Sequence, residues 1–301
     1  MSKWMRKVVS CLLLTAICGT SALSACKKKE ENNTEVELWT TYNTQKILKD
    51  GKEYDDVKFE PAISLTMAQG EYEGAQLIMT PETDVAWYNA SISDLTNVET
   101  GEVYSKDRVN IYKQEYMYIA SITQAVDGNK PGYYPDALIP LHAVVAYEEN
   151  KIAAGDNQGL YFRFSTRPEL DENGLAVVKN ENETEDAKRY SYVSSGTYTG
   201  TVTLDFKTHT QSVPVTLKII DATVSETAHA KTRFGTWDAG LMVNMNWTQE
   251  GVEQWNDTLL EYRVSGTTAL NDNVYSEKVQ QPLVDAIWER ISNPRCSSWS
   301  I

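Results

Sequence analysis

Cysteine is scarce in this chain of 301 residues, and its four copies are badly placed for cross-linking. Cys11, Cys18 and Cys26 crowd the amino terminus and Cys296 stands alone near the other end, so no disulfide framework is available to the folded part. A hydrophobic core must hold it instead. Histidine is scarcer still: His142, His209 and His229 are far apart and lack ligand spacing, which argues against a zinc site. Positive charge is also short, with 28 Lys and Arg against 42 Asp and Glu and a net charge of −14. Such a surface repels phosphate backbones, which argues against nucleic acid and favours neutral or cationic ligands. No apolar run reaches the roughly 20 residues of a membrane span. Asp171 and Asn173 before Gly174 lack the rest of a calcium loop and read as a polar turn. No metal site and no cofactor are expected.

What is present begins with a leader. Lys3, Arg6 and Lys7 form a positive start, Val8 to Ala22 an apolar stretch, and Leu23-Ser24-Ala25-Cys26 a small-residue run closing on a cysteine. That layout is an export signal. It resembles a bacterial lipoprotein signal, which implies that residues 1–25 are removed and that the thiol of Cys26 is lipidated. Several acyl chains together give stable anchoring. Residues 26–35 are charged and aperiodic, as in a tether. The implied place of work is the bacterial cell envelope, on the extracytoplasmic side, with the membrane as a partner through the lipid.

From residue 36 the character changes to short alternating runs separated by Gly, Pro, Asn and Asp clusters. Leu160, Phe162 and Phe164 fall on one face of a strand. Val202, Leu204 and Phe206 share a face of another, and Val213, Val215, Leu217 and Ile219 of a third, with Pro214 marking a strand start or an edge. Further strands are expected over Val36 to Tyr42, Tyr72 to Met79, Trp87 to Ile92 and Val109 to Ile122. Half-buried strands at this spacing predict a mainly β fold, an antiparallel β-sandwich over residues 36–225. The acidic stretch Asn180 to Asp186 reads as a protruding loop between two strands.

After Asp221 the pattern shifts. Ala222 to Lys231 reads as a linker and Thr232 to Asp238 as a strand. Val252, Trp255, Leu259 and Tyr262 share a helical stripe, Thr267 to Leu270 is a second short apolar run, and Leu283, Ile287 and Ile291 continue a helix behind Pro282. The order strand, helix, strand, helix predicts a parallel α/β unit.

Three motifs then carry a resemblance: Gly70-Glu71-Tyr72-Glu73-Gly74-Ala75-Gln76-Leu77, Tyr133-Tyr134-Pro135-Asp136-Ala137-Leu138-Ile139-Pro140-Leu141 and Ser195-Gly196-Thr197-Tyr198-Thr199-Gly200-Thr201-Val202. In this order they resemble glycoside hydrolase family 123 and relatives with a domain of unknown function numbered 4091. Val213 to Val224, leading to Phe234-Gly235-Thr236-Trp237, is similar to the join between that family's two domains. The resemblance implies a sandwich followed by a (β/α)8 barrel that hydrolyses β-linked N-acetylgalactosaminides on glycans. An adjacent Asp-Glu pair there works with the substrate's own acetamido group, outside the usual two-carboxylate scheme.

A (β/α)8 barrel takes roughly 250 residues, so residues 231–301 are read as its truncated start, about two βα units. The contiguous pair Asp171-Glu172 lies within the sandwich stretch on a turn, so the catalytic residues stay unknown and the chain as given is expected to be inactive. The 231–301 segment is expected to be poorly stable alone. Barrel chemistry sits at the C-terminal ends of strands, which makes Trp237, Asp238, Asn271 and Asp272 the expected sugar contacts. The partner is then a glycan or polysaccharide. An alternative is a carbohydrate-binding or spacer module, with Tyr112, Tyr116 and Tyr118 on one strand face and Tyr133-Tyr134 in a Pro-bounded loop. A solute-binding lipoprotein fits poorly, because such proteins alternate strands and helices from the start.

Overall fold

The computed structural model describes residues 35–120, 130–169, 192–224, 234–236, 258 and 266–268. Two sheets account for most of them. The first has five strands in the order β1 (Glu37–Thr41), β3 (Tyr72–Thr80), β9 (Gln158–Ser165), β7 (Val109–Ile119) and β8 (Gly132–Pro140), each antiparallel to its neighbour. The second runs β2 (Ile63–Gln69), β11 (Thr210–Thr223), β10 (Gly196–Asp205), β5 (Leu95–Asn97) and β6 (Val103–Tyr104), with β4 (Asn89–Ile92) paired to β10. A short helix, α1 (Leu141–Ala146), follows β8 directly.

The alternation read from the sequence is what builds the core. Leu77 and Met79 of β3, Leu160, Phe162 and Phe164 of β9, Val202 and Leu204 of β10, and Val213, Val215, Leu217 and Ile219 of β11 are all buried in one cluster. Each such side chain contributes about 1.5–3 kcal/mol by leaving water. Phe206, in the turn after β10, joins them. Strand β3 also buries its other face: Ile78 packs with Trp39 and Ile47 in a second, smaller cluster closed by Tyr54. The segment 42–54 therefore lies across the outside of the first sheet.

Three expectations are corrected. The sandwich is not wholly antiparallel, because β2 and β11 run parallel, with Ile63 opposite Val215 and Met67 opposite Ile219. A tight turn at Gly70 sends the chain from β2 into β3 of the other sheet, so β2 takes its partner from far downstream by a crossover rather than a hairpin. Tyr133 and Tyr134 do not sit in a loop: they are part of β8, which carries Pro135 and Pro140 because it is an edge strand. Its register against β7 shifts between the pairs Gln114–Leu138 and Tyr116–Pro135. Helix α1 stands inside a stretch read as all strand, and Leu141 and Val144 anchor it to the core.

Pro214 fits the edge reading. It faces Thr201 of β10, while β2 joins β11 only from Val215 onward, so one flank of the strand is open at the proline. Beyond the sandwich, β12 (Phe234–Thr236) and β13 (Gly266–Thr268) pair in parallel, Phe234 opposite Gly266. The expected strands near Thr232 and Thr267 are thus present as strands. The expected helices beside them, the acidic loop Asn180 to Asp186 and the tether lie outside the described residues, apart from Thr258, which is helical and exposed.

Candidate functional site

Trp237, Asp238, Asn271, Asp272, the lipidation candidate Cys26 and the pair Asp171-Glu172 all lie outside the described residues. The tyrosines do not. By register, Tyr112, Tyr116 and Tyr118 alternate onto the outward face of β7, and they meet three different environments.

Tyr116 is a packing residue. Its hydroxyl accepts the Gly159 backbone N–H at 3.3 Å, and burial drives its pKa well above the ordinary tyrosine value. Around it the cover is polar: Gln114 Nε2 donates to Gln76 Oε1 at 2.7 Å, and Gln158 Nε2 to the Gln114 carbonyl at 2.9 Å, while Gln114 Oε1 is buried without a partner among the described residues. Tyr112 is half-buried opposite Tyr161 of β9. Tyr118 is 57% exposed and lies against Tyr133 of β8, itself 43% exposed, with ring centroids 5.0 Å apart. Lys49 reaches over the Tyr133 ring at 5.7 Å, and its backbone N–H donates to the Tyr133 carbonyl. Met117 and Ile119 on either side of Tyr118 are exposed as well, as is Leu138 further along β8. Tyr134 turns away, its hydroxyl donating to the Lys130 carbonyl at 2.7 Å. The tyrosine set thus divides into packed Tyr116, half-buried Tyr112 and Tyr134, and the exposed pair Tyr118 and Tyr133.

Elsewhere, the chain leaves β11 at Val224. The Val224 N–H donates to the Gln69 carbonyl at 2.7 Å, and the Val224 carbonyl presses against Gly70. Next to that exit, Arg163 stacks over Tyr72 at 4.6 Å and Arg167 approaches the same ring at 5.5 Å. Arg108 Nη1 donates to the Arg167 carbonyl. The exit at Val224 is therefore tied to β2 by a backbone hydrogen bond.

A second feature was not legible in the sequence. A groove of about 750 Å³ opens between β1, an edge of the first sheet, and β2, an edge of the second. Tyr42, Phe59, Glu60 and Glu73 line it. Tyr42 sits just after β1, in phase with an alternating run, but Phe59 and Glu60 lie in an aperiodic stretch that gives no pattern to follow.

Among the described residues no three His, Cys, Asp or Glu side chains converge as metal ligands. His209 stacks on Phe206 at 4.9 Å, with Nδ1 in hydrogen-bond contact with the Thr208 hydroxyl at 3.0 Å. These surfaces offer aromatic faces, carboxylates and amides, which is chemistry for holding a ligand.

No known family profile matches the sequence, and no curated protein matches it. Among solved structures it is similar to a family 123 glycoside hydrolase from Clostridium perfringens described for glycolipid glycan hydrolysis. That likeness has 13% identity over 72% of this chain and a TM-score of 0.48. The matched part spans 33% of that enzyme's length. It is also similar to the CooA pilin subunit of enterotoxigenic Escherichia coli, at 12% identity over 55% of this chain and 95% of the pilin, TM-score 0.24. A third is the self-complemented fimbrial subunit MyfA of Yersinia enterocolitica in complex with galactose, at 9% identity over 60% and 97% of the two chains, TM-score 0.22.

Proposed function

We propose that this is an envelope protein of glycan degradation, exported and anchored through a lipid on Cys26, in which the sandwich braces an α/β unit of the glycoside hydrolase family 123 type. The observation that carries the reading is the parallel pair β12–β13, which follows the sandwich and has residues 237–265 between its strands. A parallel pair needs a crossover of that order, and the usual one is a helix. It comes after three motifs that resemble the family in order and that fall on β3, β8 and β10. On this reading Trp237 and Asp238, just beyond β12, and Asn271 and Asp272, just beyond β13, contact the sugar. An indole covers a pyranose face and carboxylates accept its hydroxyl hydrogens.

A second reading is favoured by a separate observation, the exposure of Tyr118 and Tyr133. A solvent-facing tyrosine pair in tilted contact suits a sandwich that itself holds polysaccharide. Affinity electrophoresis separates the two. The chain is run through gels containing a glycoprotein that ends in N-acetylgalactosamine. Retardation that is lost in Trp237→Ala supports the α/β site, and retardation lost in Tyr118→Ala supports the sandwich. Unretarded migration of the wild-type chain overturns both.

A further inference from the structure

The groove between β1 and β2 is built before any ligand arrives. Phe59 is fixed to β1 by two backbone bonds, Thr40 N–H to the Phe59 carbonyl at 3.1 Å and Phe59 N–H to the Thr40 carbonyl at 2.9 Å. Its ring meets Tyr42 edge to face, centroids 5.0 Å apart at 82°. Tyr42 is anchored in turn, because its carbonyl accepts Gln76 Nε2. Both rings stay open to solvent, Tyr42 at 60% and Phe59 at 41%. Two large aromatic faces held by backbone beside a groove lose little freedom when something docks on them.

The polar groups fix the chemistry of the occupant. The one lining cation, Lys58, is already committed: its ammonium pairs with the Glu37 carboxylate and lies 5.5 Å over the Trp39 ring. What remains is mostly acceptor. The Glu60 carboxylate has no hydrogen-bond partner among the described residues, and Glu73 takes only the Gly74 N–H at 3.3 Å. The side-chain amide of Asn43 is likewise unengaged among them. An anion meets two carboxylates here on a chain of net charge −14, so acidic sugars and phosphates are repelled. A ligand with many hydroxyl donors and one apolar face satisfies both the rings and the carboxylates. The volume, about 750 Å³, lies within the range of small-ligand clefts.

We propose that this groove is a binding site for a short neutral oligosaccharide, stacked on Tyr42 and Phe59 and hydrogen-bonded to Glu60 and Glu73. Its described lining residues include neither the β12–β13 pair nor Tyr118 and Tyr133, so the proposal stands whether or not either of those holds sugar.

The test uses the full chain on an array of neutral and sialylated oligosaccharides, followed by titration with the best neutral ligand. Binding is expected to neutral members and not to sialylated ones. Tyr42→Ala is expected to weaken it at least tenfold, Glu60→Gln and Glu73→Gln to weaken it, and Tyr42→Phe to retain most of it. Trp237→Ala and Tyr118→Ala should leave it unchanged, which separates a failure of this site from a failure of the function proposed above. Tyr42 is exposed, so thermal unfolding of its variants should match wild type. The proposal is overturned if no neutral oligosaccharide is held, if Tyr42→Ala binds as wild type does, or if spermine is retained in place of sugar.

Discussion

Gly70 shows how much one residue can carry where the chain passes from one sheet to the other. Its φ of +85° is unfavourable for any side chain, and a Cβ there would press on the Val224 carbonyl, a backbone atom that cannot swing aside. Gly101 has a similar φ of +75° but open space around it. The comparison isolates the contact from the backbone cost. Gly101→Ala should cost about 1 kcal/mol, the backbone penalty alone, and Gly70→Ala about 2–4 kcal/mol, read from urea midpoints. Equal losses at the two sites would show that the Val224 contact is slack.

Buried tyrosines set a second residue-scale expectation. Tyr104 is fully buried, its hydroxyl donates to the Ser165 carbonyl at 3.0 Å and accepts the Ser165 N–H at 3.1 Å, and burial pushes its pKa up to about 12. Burial raises Tyr88 and Tyr116 as well. The ordinary value is 10.0, so the folded state holds these protons more tightly than the unfolded one. Their contribution is complete below pH 10 and declines as the pH rises above it. Stability should fall above pH 10 by about 1.4 kcal/mol per pH unit for each tyrosine still protonated in the fold. Urea unfolding between pH 9 and 12 measures the slope, and a flat profile would contradict the burial of these hydroxyls.

At the scale of elements, legibility followed burial. Strands β9, β10 and β11 alternate cleanly because one face is packed and the other is not, which makes them legible from residue spacing alone. Strand β2 escaped the reading. Its pattern, Ile63 and Met67 buried around a partly covered Leu65, is short and closes on Gly70, and nothing local encodes a parallel partner that lies beyond residue 209. Strand β8 escaped for a different reason: two prolines argue for a loop unless the strand is known to lie at an edge, which is a property of the sheet. The parallel seam is testable through Leu217, which faces Tyr198 on one side and Leu65 on the other. Leu217→Ala should cost about 2–5 kcal/mol, while Thr66→Ala on the open face of β2 should stay within about 0.5 kcal/mol. A small loss at Leu217 would mean that β11 is not the packed centre of its sheet.

For the molecule as a whole, composition and pattern reached the mainly β class and the presence of sandwich strands. The candidate site was reached less well. Spacing put Tyr112, Tyr116 and Tyr118 on one face, but only the segment 42–54, folding back over the sheet, decides that Tyr116 is covered and Tyr118 is not. The groove at Tyr42 and Phe59 depends on two sheet edges meeting, which no local stretch records. The proposed function combines a proposed lipid on Cys26 with an acidic chain that disfavours anionic ligands and exposed aromatic faces proposed to hold neutral glycans.

Membranes from cells expressing the chain, titrated with a fluorescent glycoprotein ending in N-acetylgalactosamine, test that account most directly. Saturable binding competed by free N-acetylgalactosamine is expected on wild-type membranes. In Cys26→Ala the same binding should move to the soluble fraction with the released protein. Absence of saturable binding from both fractions, or binding that stays on the membranes of Cys26→Ala cells, would contradict it.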